Sequence, residues 1–272
     1  MIDADKTFKI LIREAAFTKE MLGSGVTQIR KANYATPGIY AQSFAALSIG
    51  FERIGKLCLI LDYYIKNNGK FPDFNEMKKV GHDLIKIKEK ASDIVQLREV
   101  KFKYISNLDS PIHSGILNVL HDYAEGDRYS NINILTGGKR KNDPISDWSA
   151  NVDGYIFENI VSDRKKKNIE KNAQISHSVM DNMSSIFHIA ETGETINSAY
   201  DAVFRTGVFD AVGPYRQFYL LQIIRYWVEL LCKLGSDAMN LGRHDIPFFS
   251  EILGGFGNYD AYLRSRKTWI NI

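Results

Sequence analysis

The sequence predicts an all-α fold, and three observations carry that expectation. Only six of the 272 residues are proline, Pro37, Pro72, Pro111, Pro144, Pro214 and Pro247, about half the ordinary usage of ~5%. Apolar residues recur at spacings of three and four along most of the chain, the period of a helix face. Nowhere does a train of alternating strands appear. Because proline lacks a backbone N–H and clashes with the preceding turn, the proline-free stretches 38–71, 73–110, 145–213 and 215–246 are expected to hold the helices. The prolines should mark the joints.

From Asp5, the positions Phe8, Leu11, Ala15 and Leu22 keep one face apolar and give a first helix ending near Asn33. Thr36 and Pro37 read as a capping hydroxyl followed by proline at the first helical position. The second helix then carries Phe44, Leu47, Phe51, Ile54, Cys58, Leu61 and Ile65, a seam for two long helices packed side by side, and ends at Asn67-Asn68-Gly69. A short turn with Met77 and Val80 leads to Gly81-His82-Asp83-Leu84, where Asp83 can cap a third helix bearing Leu84, Ile87, Ala91, Ile94 and Leu97. Ser110 and Pro111 repeat the cap-plus-proline signal and open a fourth, with Ile116, Val119, Leu120 and Tyr123, ending between Gly126 and Ile132.

The polar stretch from Asn133 to Pro144, with Gly137-Gly138-Lys139-Arg140-Lys141, reads as a linker or long loop. The expected division is a four-helix unit over 1–135, a linker at 136–144, and a helical region over 145–272 that either packs on the first unit or forms a degenerate second copy of it. In that region Trp148, Val152, Ile156 and Ile160 form one helical face, and Ile175, Val179, Met183 and Ile186 another. Thr195 to Phe204 suggests a short helix. Tyr215 to Leu234 is apolar on most sides apart from a stripe of Gln222, Arg225, Glu229 and Lys233, as for a central helix with an internal ion pair. A weak echo links Tyr40-Ala41-Gln42 to Tyr215-Arg216-Gln217 and His82-Asp83 to His244-Asp245.

Composition narrows function. Apolar residues at 44% and charged residues at 25% describe a folded protein rather than a disordered one. No apolar run approaches the ~18 uncharged residues of a membrane span; Phe218 to Leu234 is broken by Arg225, Glu229 and Lys233. An acidic start, Met1-Ile2-Asp3-Ala4-Asp5-Lys6, is unlike a secretory signal, so cytoplasmic residence is expected. Cys58 and Cys232 lie in apolar helical patterns and suit buried thiols rather than a disulfide or zinc site. Gly137-Gly138-Lys139 lacks P-loop spacing, and neither a His-Glu-x-x-His nor a Cys-x-x-Cys motif occurs, so no metal and no cofactor is expected. A net charge of +3 is too small to mark a nucleic-acid binder by itself.

The order of the first half is specific: an amphipathic helix, a second helix with Glu52-Arg53 and Lys56, His82-Asp83-Leu84 opening the third, and Tyr123 then Asp127-Arg128-Tyr129-Ser130-Asn131 closing the fourth. Over residues 5–135 this resembles the HEPN family of helical domains. That resemblance implies a helical bundle working as a homodimer, with RNA or a nucleotide as ligand. Family members include metal-independent ribonucleases, partners of minimal nucleotidyltransferases in toxin and antitoxin pairs, abortive-infection proteins of prokaryotic phage defence, and non-catalytic nucleotide or RNA binders; the competing expectation for this chain is a non-catalytic helical interaction module partnering a separately encoded enzyme. It further implies a site with Arg128, His82 and Glu52 as catalytic candidates and Arg53, Lys56, Asn131, Asn133, Lys139 and Arg140 as contacts for RNA or nucleotide.

The chain departs from the family in one respect: no arginine is followed after four to six residues by histidine, and Arg128 has Asn133 at that offset. An amide does not titrate near neutrality and cannot serve as general acid or base. Each candidate also has a structural reading. Arg128 either grips a phosphate with its paired donors or favours the dipole at a helix C-terminus. His82 is either held by the Asp83 carboxylate or sits on the surface while Asp83 caps a helix. Glu52 and Lys56 either wall a groove or form an i,i+4 pair. The basic runs Lys139-Arg140-Lys141 and Arg164-Lys165-Lys166-Lys167 either hold an RNA backbone or are solvated.

Overall fold

In the computed structural model, residues 4–180, 186–242 and 245–272 are described, so Met183 and His244 of the patterns above lie outside them. Helix takes 73% and strand 2%, which makes the chain all-α. Helix α1 (Ala4–Ile29) runs along α2 (Gly38–Lys66). The approach is closest where each helix offers the other a glycine: a Cβ at Gly25 would come within 2.6 Å of Leu47, and one at Gly50 within 2.6 Å of Leu22. The seam of α2 is buried as its spacing predicts from Phe44 to Leu61, with Ile65 at its rim. Its start differs from expectation. Pro37 itself is the N-cap residue, without a side-chain bond, while the Thr36 hydroxyl turns back to donate to Asn33.

The turn expected around Met77 is a short helix, α3 (Phe74–Val80), closed by a capping box in which Asp73 and Glu76 each bond the other's backbone. Asp83 caps α4 (Leu84–Leu97) by accepting from the Lys86 N–H, and Ser110 caps α5 (Pro111–Glu125) with Pro111 in the first turn. Both follow the sequence signals. A 3₁₀ turn, Asp127–Tyr129, then leads to α6 (Ser130–Thr136) and the loop 137–143.

Beyond the loop, α7 (Pro144–Trp148), a π-helical turn (Ser149–Gly154) and α8 (Tyr155–Asn159) form one continuous rod that buries Trp148, Val152 and Ile156. Helix α9 (Asp163–Met180) docks on the longest helix, α10 (Ala199–Asn240). The apolar face expected at Ile175 and Val179 is exposed. Instead α9 docks through Ile169 and Ala173, because Gly207 of α10 leaves the space that the Ile169 side chain fills. The short helix expected from Thr195 is also revised: Thr195–Ile196 pairs antiparallel with His188–Ile189 as a two-residue hairpin, β1 and β2, and the helix begins only after Ser198 caps it. Pro214 lies inside α10 rather than at a joint. The hydrogen bond lost there is outweighed by the burial of Phe218 through Leu234, which α10 lays against α2, α1 and α5. Helices α11 (Phe249–Leu253) and α12 (Asp260–Ser265) complete the layer over α1 and α10. One buried apolar cluster thus runs through residues of both halves. Among the described residues no helix is long and apolar enough to cross a membrane.

The polar stripe of α10 is met from several sides, although Arg225 Nε and Glu229 Oε1 are buried without a hydrogen-bond partner among the described residues. Gln222 bonds the His113 imidazole, Arg225 pairs with Asp260 at 2.8 Å and stacks on Tyr104, and Glu229 accepts from the Lys103 N–H. Deeper lies a network that the sequence reading did not anticipate. Arg216, 0% exposed, donates to both carboxylate oxygens of Asp153, to the Ala32 carbonyl at 2.7 Å and to the Tyr40 hydroxyl at 2.9 Å. The Tyr40 hydroxyl in turn donates to Glu191. The two members of the Tyr40 and Tyr215-Arg216 echo therefore meet in space.

Glu191 is the surplus acid of this network, because Asp153 already neutralises Arg216. Burial pushes its carboxyl above the usual range, against the lowering by its backbone hydrogen bond, Arg216 and Tyr40. A raised acid stabilises the fold at low pH and loses that contribution as pH rises through its folded pKa. Glu191→Gln keeps an acceptor for Tyr40 and removes the charge. Its melting temperature is expected to exceed that of the parent at pH 7 and to converge with it near pH 4; a lower value at pH 7 in calorimetry would refute this account.

Candidate functional site

A cleft of about 800 Å³ opens where the middle of α2 faces α1, the start of α4 and the end of α5. Its floor is apolar, with Ala45, Ile49, Leu57 and Ile60, and its walls carry Glu14, Glu52, Arg53, Lys56, His82, Glu125 and Arg128. Glu52, Arg53 and Lys56 project from one stretch of α2 beside the buried seam, so the packing of α2 on α1 fixes them.

Two glycines aim the other two. Gly81, at φ +68°, ends α3 and lets the chain turn so that His82 stands over α2 while Asp83 starts α4. Gly126, at φ +140°, ends α5 and starts the 3₁₀ turn that puts Arg128 at the cleft and tucks Asp127 inward. A Cβ at Gly126 would lie 3.0 Å from the Arg140 side chain.

His82 is held by Glu52, not by Asp83. Its Nδ1 lies 2.9 and 3.0 Å from the two Glu52 oxygens. The Asp83 carboxylate is committed to the helix cap and stands 3.5 Å from His121. A carboxylate only accepts, so the hydrogen on that bond belongs to His82 Nδ1, and Nε2 faces solvent, with a lone pair in the neutral imidazole and an N–H in the imidazolium. The imidazole is 75% exposed, and among the described residues Nε2 has no hydrogen-bond partner. Glu52 also accepts from Lys56 Nζ at 2.7 Å. Burial alone would raise the Glu52 carboxyl, but the hydrogen bonds and charges of Lys56 and His82 outweigh it and hold the group below the usual carboxylate range. Both readings of Glu52 and Lys56 therefore coexist: an i,i+4 pair that also walls the cleft.

Arg53 pairs with Glu14 and stacks on the Phe17 ring at 4.3 Å. Arg128 donates one N–H to the Ala124 carbonyl, capping the end of α5, and lies over Tyr129. Its remaining guanidinium donors find no acceptor among the described residues. Arg53, Lys56 and Arg128 face Glu14, Glu52 and Glu125 around the cleft, a mixed surface able to meet phosphate oxygens and hydrogen-bond donors together.

Comparison with family models, curated proteins and solved structures finds no match to this chain.

Of the residues singled out in the sequence, Glu52, Arg53, Lys56, His82 and Arg128 meet in this cleft. The others do not. Asn133 donates to the Arg140 carbonyl, Arg140 pairs with Asp127 at 3.2 Å, and Asn131 and Lys139 are exposed on α6 and its following loop. Asn133 and Arg140 thus fasten the loop 137–143 rather than reach the cleft. Glu14, Ser48 and Glu125 line it without having been singled out. Glu14 carries no local sign of its partner, 39 residues away. Among the described residues no group of three His, Cys, Asp or Glu side chains could hold a metal ion.

Proposed function

We propose that this chain is a HEPN-like protein that binds RNA or a nucleotide in the cleft and, with RNA, acts as a metal-independent ribonuclease of the toxin-type effectors of prokaryotic defence. The observation that carries the reading is the Glu52 and His82 pair, with Nε2 directed outward, in one cleft with Arg53, Lys56 and Arg128. His82 would then do the proton transfer for which the family's usual histidine is missing. The guanidiniums of Arg53 and Arg128 suit phosphate oxygens, since they present paired donors and stay charged. Release of Arg53 from Glu14 is part of binding. The apolar floor accepts the face of a base.

The test is a ribonuclease assay on the purified protein with single-stranded RNA, alongside RNA binding. Arg128→Ala removes a charged hydrogen-bond donor worth about 1.5–3 kcal/mol, so RNA affinity should fall on the order of 10- to 100-fold. If no RNA is cut, and Arg128→Ala changes neither RNA binding nor cellular toxicity, the proposal is wrong. A second reading, a non-catalytic helical module partnering a separately encoded enzyme, draws on the exposed Ile132, Ile134 and Leu135 of α6 beside Arg128.

A further inference from the structure

The basic run at the start of α9 is reorganised by the fold. Lys166 is spent locally: its ammonium bonds the Glu158 carbonyl, lies 3.8 Å from Asp163 and sits over the Phe157 ring. Lys165 points to the flank. The side of α9 directly opposite the docked Ile169 and Ala173 instead carries Arg164, Lys167 and Lys171, a spacing of three and four that places all three in one row. Lys171 lies outside the run visible in the sequence. The three cations are exposed and have no acidic or carbonyl partner among the described residues.

Between and beyond them the same side presents the polar Asn168, Gln174 and Ser178 and, four residues after Lys171, the apolar Ile175, all exposed. The acids of α9, Asp163 and Glu170, stand to the side. Charge and amide or hydroxyl donors without carboxylates are the side chains that meet phosphate and sugar oxygens. From Arg164 to Gln174 this side carries no apolar side chain, so an apolar insertion into lipid is poorly served where the cations stand.

We infer that the outward row of α9 is a binding site for the phosphodiester backbone of single-stranded nucleic acid. The choice of RNA as that strand rests on the reading of the cleft; the row itself does not. Each cation neutralises a phosphate and releases counterions, so binding is sequence-tolerant and steeply dependent on salt.

The experiment measures fluorescence anisotropy of a short labelled single-stranded RNA on the full chain across a salt series. The variant Arg164→Gln, Lys167→Gln, Lys171→Gln alters only exposed positions of one helix. Its affinity should drop on the order of tenfold at low salt, and the slope of log affinity against log salt should shrink by about 2, from three phosphates at about 0.7 each. His82→Ala should leave that slope unchanged. Unaltered affinity and slope in the triple variant overturn the inference, as does binding to phosphatidylserine vesicles without binding to RNA. RNA that binds with a row-dependent slope but is never cut supports the row and sinks the reading of the cleft; RNA that is cut by the triple variant with unchanged binding does the reverse.

Discussion

Asp153→Asn is expected to lower stability by about 3–5 kcal/mol, the cost of leaving a buried charge without its partner. Arg216 is fully buried, and its guanidinium is flanked by the Tyr40 ring, the Phe209 ring and the ends of α1 and α2. Burial opposes its charge, but the Asp153 carboxylate and the Tyr40 hydroxyl outweigh that and raise it above its usual value. An amide in place of this carboxylate would keep the shape and one acceptor for Trp148 and remove the neutralising charge. Urea denaturation reads the effect as a shift in midpoint with an unchanged slope. The pair joins the two halves of the chain, since Asp153 comes from the π-helical turn and Arg216 from α10, while its carbonyl acceptors come from α1 and the turn after it. A second variant keeps the account open to refutation: replacing both partners, Asp153→Leu with Arg216→Met, removes the unpaired charge and should recover most of the loss. A loss below about 1 kcal/mol for Asp153→Asn alone, or no recovery in the double variant, would show that the pair is not what holds this interface.

That network explains why part of the fold was hidden from the sequence. The caps at Asp83 and Ser110 and the seam of α2 depend on residues a few positions apart, and the helices begin and bury as those residues indicate. Asp153 and Arg216 are 63 residues apart. The π-helical turn brings residues five apart to one side, so Trp148 and Asp153 share a hydrogen bond that a 3.6-residue period would not align. Pro214 misled for a related reason: its local preference for a joint is overridden by packing along the rest of α10. On α9 the apolar Ile175 and Val179 suggested a face, but docking depends on the shape of the partner helix, where Gly207 receives Ile169.

The cleft divides along the same line. Glu52, Arg53 and Lys56 share one helix, and their common side follows from α2 periodicity once its buried seam is known. The arrival of His82 and Arg128 beside them depends on the packing of α4 and α5 on α2 and on turns at Gly81 and Gly126. The residues after Arg128 could not be placed by offset alone. The 3₁₀ turn runs on into α6, where Asn133 donates to the Arg140 carbonyl of the following loop.

His82→Ala is expected to reduce cleavage of RNA by about 10²–10⁴-fold, the usual contribution of a positioned general acid or base. The exposed position of the ring makes this a test of chemistry rather than of folding, and binding of RNA should change little, because Arg53, Lys56 and Arg128 remain. Glu52→Gln probes the second half of the pair. Glu52 acts through the imidazole: it fixes Nδ1 as the donor and Nε2 as the free nitrogen, so the amide should lower kcat while leaving KM nearly unchanged. Because the Glu52 carboxyl is held below the usual range, its anchoring is retained as pH falls past the point at which an ordinary glutamate is half protonated, and it is lost only at lower pH. Glu52→Asp, one methylene shorter but still charged, should recover part of the rate if charge and orientation both matter. Equal loss in KM and kcat for Glu52→Gln, or full activity in His82→Ala, would remove this pair from the mechanism and leave the cleft as a binding site alone.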